Sequence, residues 1–186
     1  AALPAFAASD FRLDPVEATF LRALGGDGSP GTPYRIVDLY GLQGMASETL
    51  LNNDFVLEND IDASGTTAWN GGAGFLAIGT DGVDFINAFT GFTGSFDGQA
   101  HTITGLYIDR ATASLVGLFG ATSNGSTISN LTLAGGSITG FGQVGAVVGS
   151  SGSTVTNVHS SATVNSTTGG GSIGGLVGSN NGAISG

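Results

Sequence analysis

Over the second half of the chain, apolar and polar residues alternate in short runs: Thr102-Ile103-Thr104, Thr127-Ile128-Ser129 and Thr154-Val155-Thr156, separated by Gly, Asn and Ser. A period of two with β-branched residues between turn formers predicts short β-strands. No stretch after residue 110 carries a helical period. Three apolar blocks, Leu115 to Gly120, Val144 to Gly149 and Ile173 to Gly178, recur at offsets of 29 and 29, which puts Gly120, Gly149 and Gly178 in register. A second phase runs between them. Ile103, Leu106 and Ile108 are echoed by Ile128, Leu131 and Leu133, then by Val155 and Val158, then by Ile184, at spacings of 25, 27 and 29. A constant apolar pattern at slightly unequal spacing is expected of a solenoid that expels insertions into loops.

Each copy offers few inward side chains, worth about 1.5–3 kcal/mol each when fully buried. That does not offset the ordering entropy of its own backbone, so copies must stack. The prediction is an all-β fold, a parallel β-helix with strands about 4.8 Å apart, right-handed by the crossover rule.

Upstream the pattern is less regular. Gly25 to Pro33 is a Gly/Pro-rich turn. Pro15 to Leu24 fits a short helix after Asp14 or a strand from Thr19, and the pattern leaves both open. Tyr34 to Tyr40 alternates, Leu39 to Leu51 has helix-compatible spacing, and Phe55 to Ile61 reads as a strand. The expected organisation is a lead-in segment at 1–33, irregular charged first coils at 34–110 and regular uncharged coils at 111–186. The break at Gly186, just inside a repeat, is expected to be followed by more of the same. The start, Ala1 to Ala8, lacks the charged and long apolar stretches of a signal peptide and reads as the interior of a longer protein.

Charge sharpens this division. All fourteen acidic residues and four Arg lie between Asp10 and Arg110, and there is no Lys. A net charge of −10 leaves no basic patch for a phosphate backbone, so nucleic acid is not an expected partner. No apolar run is long enough to predict membrane insertion. Zero Cys excludes disulfides, thiolate catalysis and Cys-based zinc sites.

Tyr34 to Met45 (YRIVDLYGLQGM), Asn53 to Ala63 (NDFVLENDIDA), Trp69 to Gly79 (WNGGAGFLAIG), Phe92 to Asp109 (FTGSFDGQAHTITGLYID) and the VGLFG, VGAVVG and IGGLVG blocks carry a family resemblance. In that order they resemble the GLUG-repeat region of filamentous-haemagglutinin-like adhesins exported by two-partner secretion. The likeness covers about residues 25–186, and Leu3 to Arg12 is similar to the segment preceding that region. Departures from the repeat pattern occur at Ala146 and at Val158-His159-Ser160. The resemblance implies a secreted β-helical protein of the bacterial surface or biofilm matrix, without catalytic residues. It implies partners among surface glycans or proteins of host cell or matrix. A closely related alternative is a self-assembling fibre joined through the solenoid ends, where unpaired backbone templates another chain.

Candidate chemistry is sparse. Gly170-Gly-Ser-Ile-Gly174 satisfies GxSxG, and Gly169, Gly171 and Gly174 satisfy GxGxxG, but Ser172 has no following His or acid and no helix starts there. The acidic cluster is the better candidate. Asp54, Glu58, Asp60 and Asp62, with Asp81, Asp84 and Asp97 further along, read first as solvated carboxylates closing Asx turns. Two alternatives stay open: Ca²⁺ held by Asp54, Asp60 and Asp62, or a carboxylate pair of a polysaccharide-acting enzyme within residues 54–97. No other cofactor is expected. His101 and His159 read as structural. Trp69, Phe75, Phe85, Phe89, Phe92 and Phe96 read as core in preference to a sugar-stacking platform. The Thr and Ser pairs at 102/104, 127/129 and 154/156 would form a hydroxyl ladder like that of ice-binding β-helices, although Thr is also an ordinary strand residue. Asn124, Asn130 and Asn165 head formal glycosylation sequons of the kind an Asn/Ser/Thr-rich chain produces by chance.

Overall fold

The computed structural model describes residues 2–80, 91–167 and 171–186. It is an all-β parallel solenoid of four stacked sheets. The longest sheet runs through Tyr34–Ile36, Phe55–Leu57, Ser95–Asp97, Thr127–Ala134, Thr154–Ser160 and Ala183–Ser185, every pair parallel. Ile61–Asp62 and Thr102–Thr104 extend it by pairing alongside the end of Thr127–Ala134. The other sheets are Tyr107–Asp109, Ser137–Gly140, Thr163–Ser166; Leu115–Val116, Gln143–Gly145, Ile173–Gly174; and Phe119–Thr122, Val148–Ser151, Val177–Asn180.

Inward side chains stack in columns down each sheet. Phe55, Phe96, Ile128 and Val155 form one, with Ile108 on Ile138, Val116 on Val144 and Phe119 on Val148 in the others, all almost fully buried. Each column holds one apolar residue per coil, so the core is continuous only because the coils are stacked.

The register corrects the sequence reading in two places. Ile128 stands on Phe96, not on Ile103, and Ile103 stands on Leu133. The Gly98–His101 turn explains this: Gln99 and Ala100 both adopt positive φ (48° and 63°) and break the strand, whereas one positive-φ residue, Asn130 (52°), carries the next coil through the same bend. The extra residues shift the first copy. The outward rows are therefore Ser95–Thr127–Thr154–Ala183 and Asp97–Ser129–Thr156–Ser185, and Thr102 lies on Thr132. The second correction concerns the glycine blocks. Val144 stands on Val116 where a strict offset of 29 requires Leu115, while Phe119, Val148 and Val177 keep that offset. One additional residue is accommodated between Gly145 and Val148. Gly120, Gly149 and Gly178 are in register as expected.

Before the regular coils, the helix-compatible stretch forms a helix, Leu39–Gly44, and a 3-10 turn, Glu48–Leu50. Asp38 caps the helix by accepting from Gly41 N–H at 2.8 Å. Phe55 to Ile61 holds two short strands instead of one. Residues 15–24 are neither helix nor strand: Asp14 accepts from the N–H groups of Val16 and Glu17, which closes a single turn, and residues 18–24 then form no regular element. Residues 75–78 and 92 complete the first coil, with Phe75 N–H donating to Tyr107 C=O, Ile78 to Leu118 and Phe92 to Ala121 at 2.9–3.0 Å.

Candidate functional site

Glu58, Asp60, Asp62 and Asp97 lie on or between the strands of the first coils, where Val56 pairs with Asp97 and Asp62 with Thr104. Arg35 and Glu58 form a bidentate pair, Nε to Oε1 at 2.5 Å and Nη2 to Oε2 at 2.7 Å. This pair holds Glu58 below the usual carboxylate range. It flanks a shallow open groove that also touches Gly26, Thr32, Pro33 and Gln99.

The three carboxylates singled out for calcium are engaged by three different backbone N–H groups. Asp54 Oδ1 accepts from Ser95 N–H at 2.8 Å. Asp60 Oδ1 accepts from Thr102 N–H at 2.9 Å and lies 3.1 Å from His101 Nδ1. Asp62 Oδ1 accepts from Ser64 N–H at 2.9 Å. Asp54 and Asp60 each tie two distant stretches of backbone together, Asp62 closes a local turn, and among the described residues no three His, Cys, Asp or Glu side chains converge as a metal requires. Asp97 is engaged likewise, accepting from Gln99 N–H at 2.9 Å and from Asn130 Nδ2 at 3.0 Å. Asp81 and Asp84 lie outside the described residues.

A glycosidase acid must hold its proton near neutral pH, which needs a raised pKa. The environment here acts the other way. Thr102 N–H and His101 lower Asp60, Ser64 lowers Asp62, and the Arg12 guanidinium lowers Asp10. Thr32 and Ser29 bring Asp27 down to about 2. These groups are stabilised as anions and suited to structural hydrogen bonding. His101 has the structural place expected of it, while His159 is exposed on the outer face beyond Thr132.

The remaining candidates sort by burial. Trp69, Phe75, Phe92 and Phe96 are core, at most 2% exposed, and present no ring to a sugar. Phe85 and Phe89 lie outside the described residues. Ser172 precedes the strand Ile173–Gly174 opposite Gln143, while Gly169 and Gly170 are outside the described residues. Asn124 and Asn165 are exposed, whereas the amide of Asn130 is engaged on both sides.

Two features escaped the sequence reading. Asn157 Nδ2 donates to Asn130 Oδ1 at 2.9 Å while Asn130 Nδ2 donates to Asp97, which makes a side-chain ladder of three coils along the solenoid. Its signal was an Asn recurring 27 residues apart two places after Ile128 and Val155. Gln43, fully buried, clasps the Leu76 peptide from both sides: Leu76 N–H donates to Oε1 at 2.8 Å and Nε2 donates to Leu76 C=O at 2.9 Å.

The chain is similar to known proteins at two levels. Over 144 residues, 75% of its length, it is 44% identical to Halomucin of Haloquadratum walsbyi, of which this stretch is 2%. Over 139 residues, 72% of its length, it is 33% identical to a protein of Evansella cellulosilytica named as a Gly-rich membrane protein, of which the match covers 15%. The chain thus corresponds to a small part of much longer relatives. No family model matches it. Among solved structures, a Bacteroides ovatus protein named as an immunoglobulin A1 protease superposes with a TM-score of 0.59 over 76% of this chain and 41% of the other, at 19% identity. That likeness concerns the fold alone. Among the described residues no helix is long and apolar enough to cross a membrane.

Proposed function

We propose that this chain is a structural, non-catalytic solenoid segment of a large extracellular or cell-surface protein. The observation that carries the reading is its 44% identity to a stretch of the far longer Halomucin. The fold supports it: the stack is held by backbone pairing and side-chain columns, and the carboxylates accept hydrogen bonds within turns and between coils. The finer reading is adhesive. The ordered YRIVDLYGLQGM to IGGLVG motifs favour a GLUG-type, haemagglutinin-like region, and the broad outer face of the long sheet, with its Ser, Thr, Asn and Asp rows, supplies hydrogen-bonding groups for surface glycans or proteins.

Antibody to the purified chain tests the location. Labelling of intact source cells, lost after protease shaving, is the expected result, and antigen confined to the cytosolic fraction overturns the proposal. Binding of the purified chain to a panel of glycans and matrix proteins tests the adhesive part. Saturable binding that drops when Thr127 and Thr154 are both replaced by Lys is expected, and silence across the panel refutes adhesion by this segment.

A further inference from the structure

The groove beside the Arg35–Glu58 pair is assembled from three separate stretches of chain: the turn at 26–33, the paired strands at Arg35 and Val56 with Glu58 just beyond, and Gln99 on the turn at 98–101. Its first wall is held in place. Asp27 N–H and Gly28 N–H both donate to Thr32 C=O, at 2.9 and 3.1 Å, and the Asp27 carboxylate accepts from Ser29 N–H and from the Thr32 hydroxyl. Asp54 N–H, donating to Gly28 C=O at 2.9 Å, ties this turn to the second coil. A wall ordered in advance loses little entropy when a ligand arrives.

The opposite wall is strained. The next two coils pass the same bend on Asn130 and Asn157, at φ 52° and 54°, a region that Asn tolerates. Gln99 and Ala100 hold φ of 48° and 63° there, at a cost for side chains of their kind. Gln99 N–H on Asp97 at 2.9 Å and Ala100 N–H on Asn130 C=O at 2.8 Å keep the turn in this shape. The Gln99 side chain makes no hydrogen bond among the described residues; it is exposed and borders the groove. Strain held at a residue whose side chain binds nothing in the fold points to function.

The chemistry of the rim selects an occupant. Arg35 spends two of its five N–H donors on Glu58, and each Glu58 oxygen keeps a free lone pair. Donors and acceptors thus stand side by side, and the Gln99 amide adds one of each kind. The two charges of the pair cancel on a chain of net charge −10, which disfavours an anion. Val56, only 8% exposed, and Pro33 offer too little apolar surface for a hydrophobic peptide. Adjacent hydroxyls, each able to donate and accept, match this rim.

We propose that the groove is a subsite for a neutral glycan, whose vicinal hydroxyls bridge the Arg35 guanidinium, the Glu58 carboxylate and the Gln99 amide. The assignment rests on the adhesive reading above and adds a defined site at the first-coil end of the same outer face. Thr127 lies three strands further along, about 14 Å away, so a disaccharide in the groove does not reach it, whereas a longer oligomer does.

The test titrates the full chain with cellobiose, mannobiose, galactobiose and N,N′-diacetylchitobiose, their longer oligomers, and sulfated disaccharides as charged controls. The NMR signals of Arg35 Nε–H and the Gln99 side-chain amide are followed, together with the melting temperature. At least one neutral disaccharide is expected to shift both signals saturably. Gln99→Gly, which accepts the positive φ, is expected to weaken that binding by about tenfold or more while the melting temperature holds or rises, and Glu58→Gln to weaken it likewise. Replacing Thr127 and Thr154 by Lys should leave disaccharide binding within about twofold. Shifts by no neutral sugar overturn the proposal, as does disaccharide binding that survives both groove variants, tighter binding of the sulfated sugars, or a melting temperature that falls in Gln99→Gly. Oligomer binding lost with the Thr replacements but untouched by the groove variants overturns the groove and leaves the adhesive reading standing.

Discussion

Replacing Gln43 by Leu removes the clasp on Leu76 while keeping side-chain volume. The Leu76 N–H and C=O lose their partners in a region where Leu76 itself is 4% exposed. Each stranded group costs about 1–3 kcal/mol, and the gain from burying an apolar side chain offsets part of the total, leaving a net loss of about 2 kcal/mol. Equilibrium urea unfolding measures this, with Trp69, the single tryptophan and 2% exposed, as the fluorescence reporter. At a slope of about 2 kcal/mol per molar, the midpoint falls by about 1 M urea. Gln43→Glu separates hydrogen bonding from shape. Burial raises the pKa of the new carboxyl above its unfolded value, and only its protonated form can donate to Leu76 C=O. The variant should therefore stand near the parent below the unfolded pKa of about 4.3 and lose stability as pH rises through the folded pKa. A Leu variant within about 0.5 kcal/mol of the parent, the range of ordinary surface changes, refutes the reasoning. So does a Glu deficit that does not change with pH.

Asn130→Ala is expected to lose about 2–4 kcal/mol, from left-handed backbone strain and two ladder bonds, whereas Asn130→Gly keeps the φ and loses about 1–2 kcal/mol; equal losses in denaturant titrations would remove the backbone part of the explanation. Because Asp10, Asp27, Glu58, Asp60 and Asp62 are lowered in the folded state, their stabilisation is present above about pH 4 and lost as pH falls toward the folded values, about 2 for Asp27. The melting temperature should accordingly decline below pH 4, less steeply in Asp60→Asn, and a flat profile from pH 5 to pH 2 contradicts this. Melts in Ca²⁺ and in EDTA should agree within about 1 °C, since a ligand of the folded state must raise its apparent stability; a saturable rise that Asp60→Asn abolishes would restore calcium to the first coils.

The repeat blocks made the solenoid legible because every coil must present one apolar residue per column, a demand that survives changes of loop length. Phe96 was missed as the partner of Ile128 because the Gly98–His101 turn carries extra residues, and a nearby Ile103 fits the local pattern equally well. Residues 15–24 gave no clear period because they answer to neighbours far along the chain and not to a helix or strand of their own: the Phe20 ring packs on Phe11, Phe20 N–H donates to Ser47 Oγ, and Pro15 C=O accepts from Glu48 N–H. In the acidic cluster the residue types were visible, but their partners were not. Asp54 reaches Ser95 and Asp60 reaches Thr102, contacts 41 and 42 residues apart that only the stacking of coils creates.

The ladder bonds between coils lie along the axis, and this gives the segment a mechanical character. Tension applied along that axis loads successive coils in series, so the weakest inter-coil layer gives way before its neighbours. From Thr127 to Thr154 and from Thr154 to Ala183 the layers hold 27 and 29 residues. Each rupture therefore pays out roughly 90–105 Å of extended chain. Under load the segment is a rod that lengthens in discrete steps, dissipating force at each one while the remaining coils stay folded.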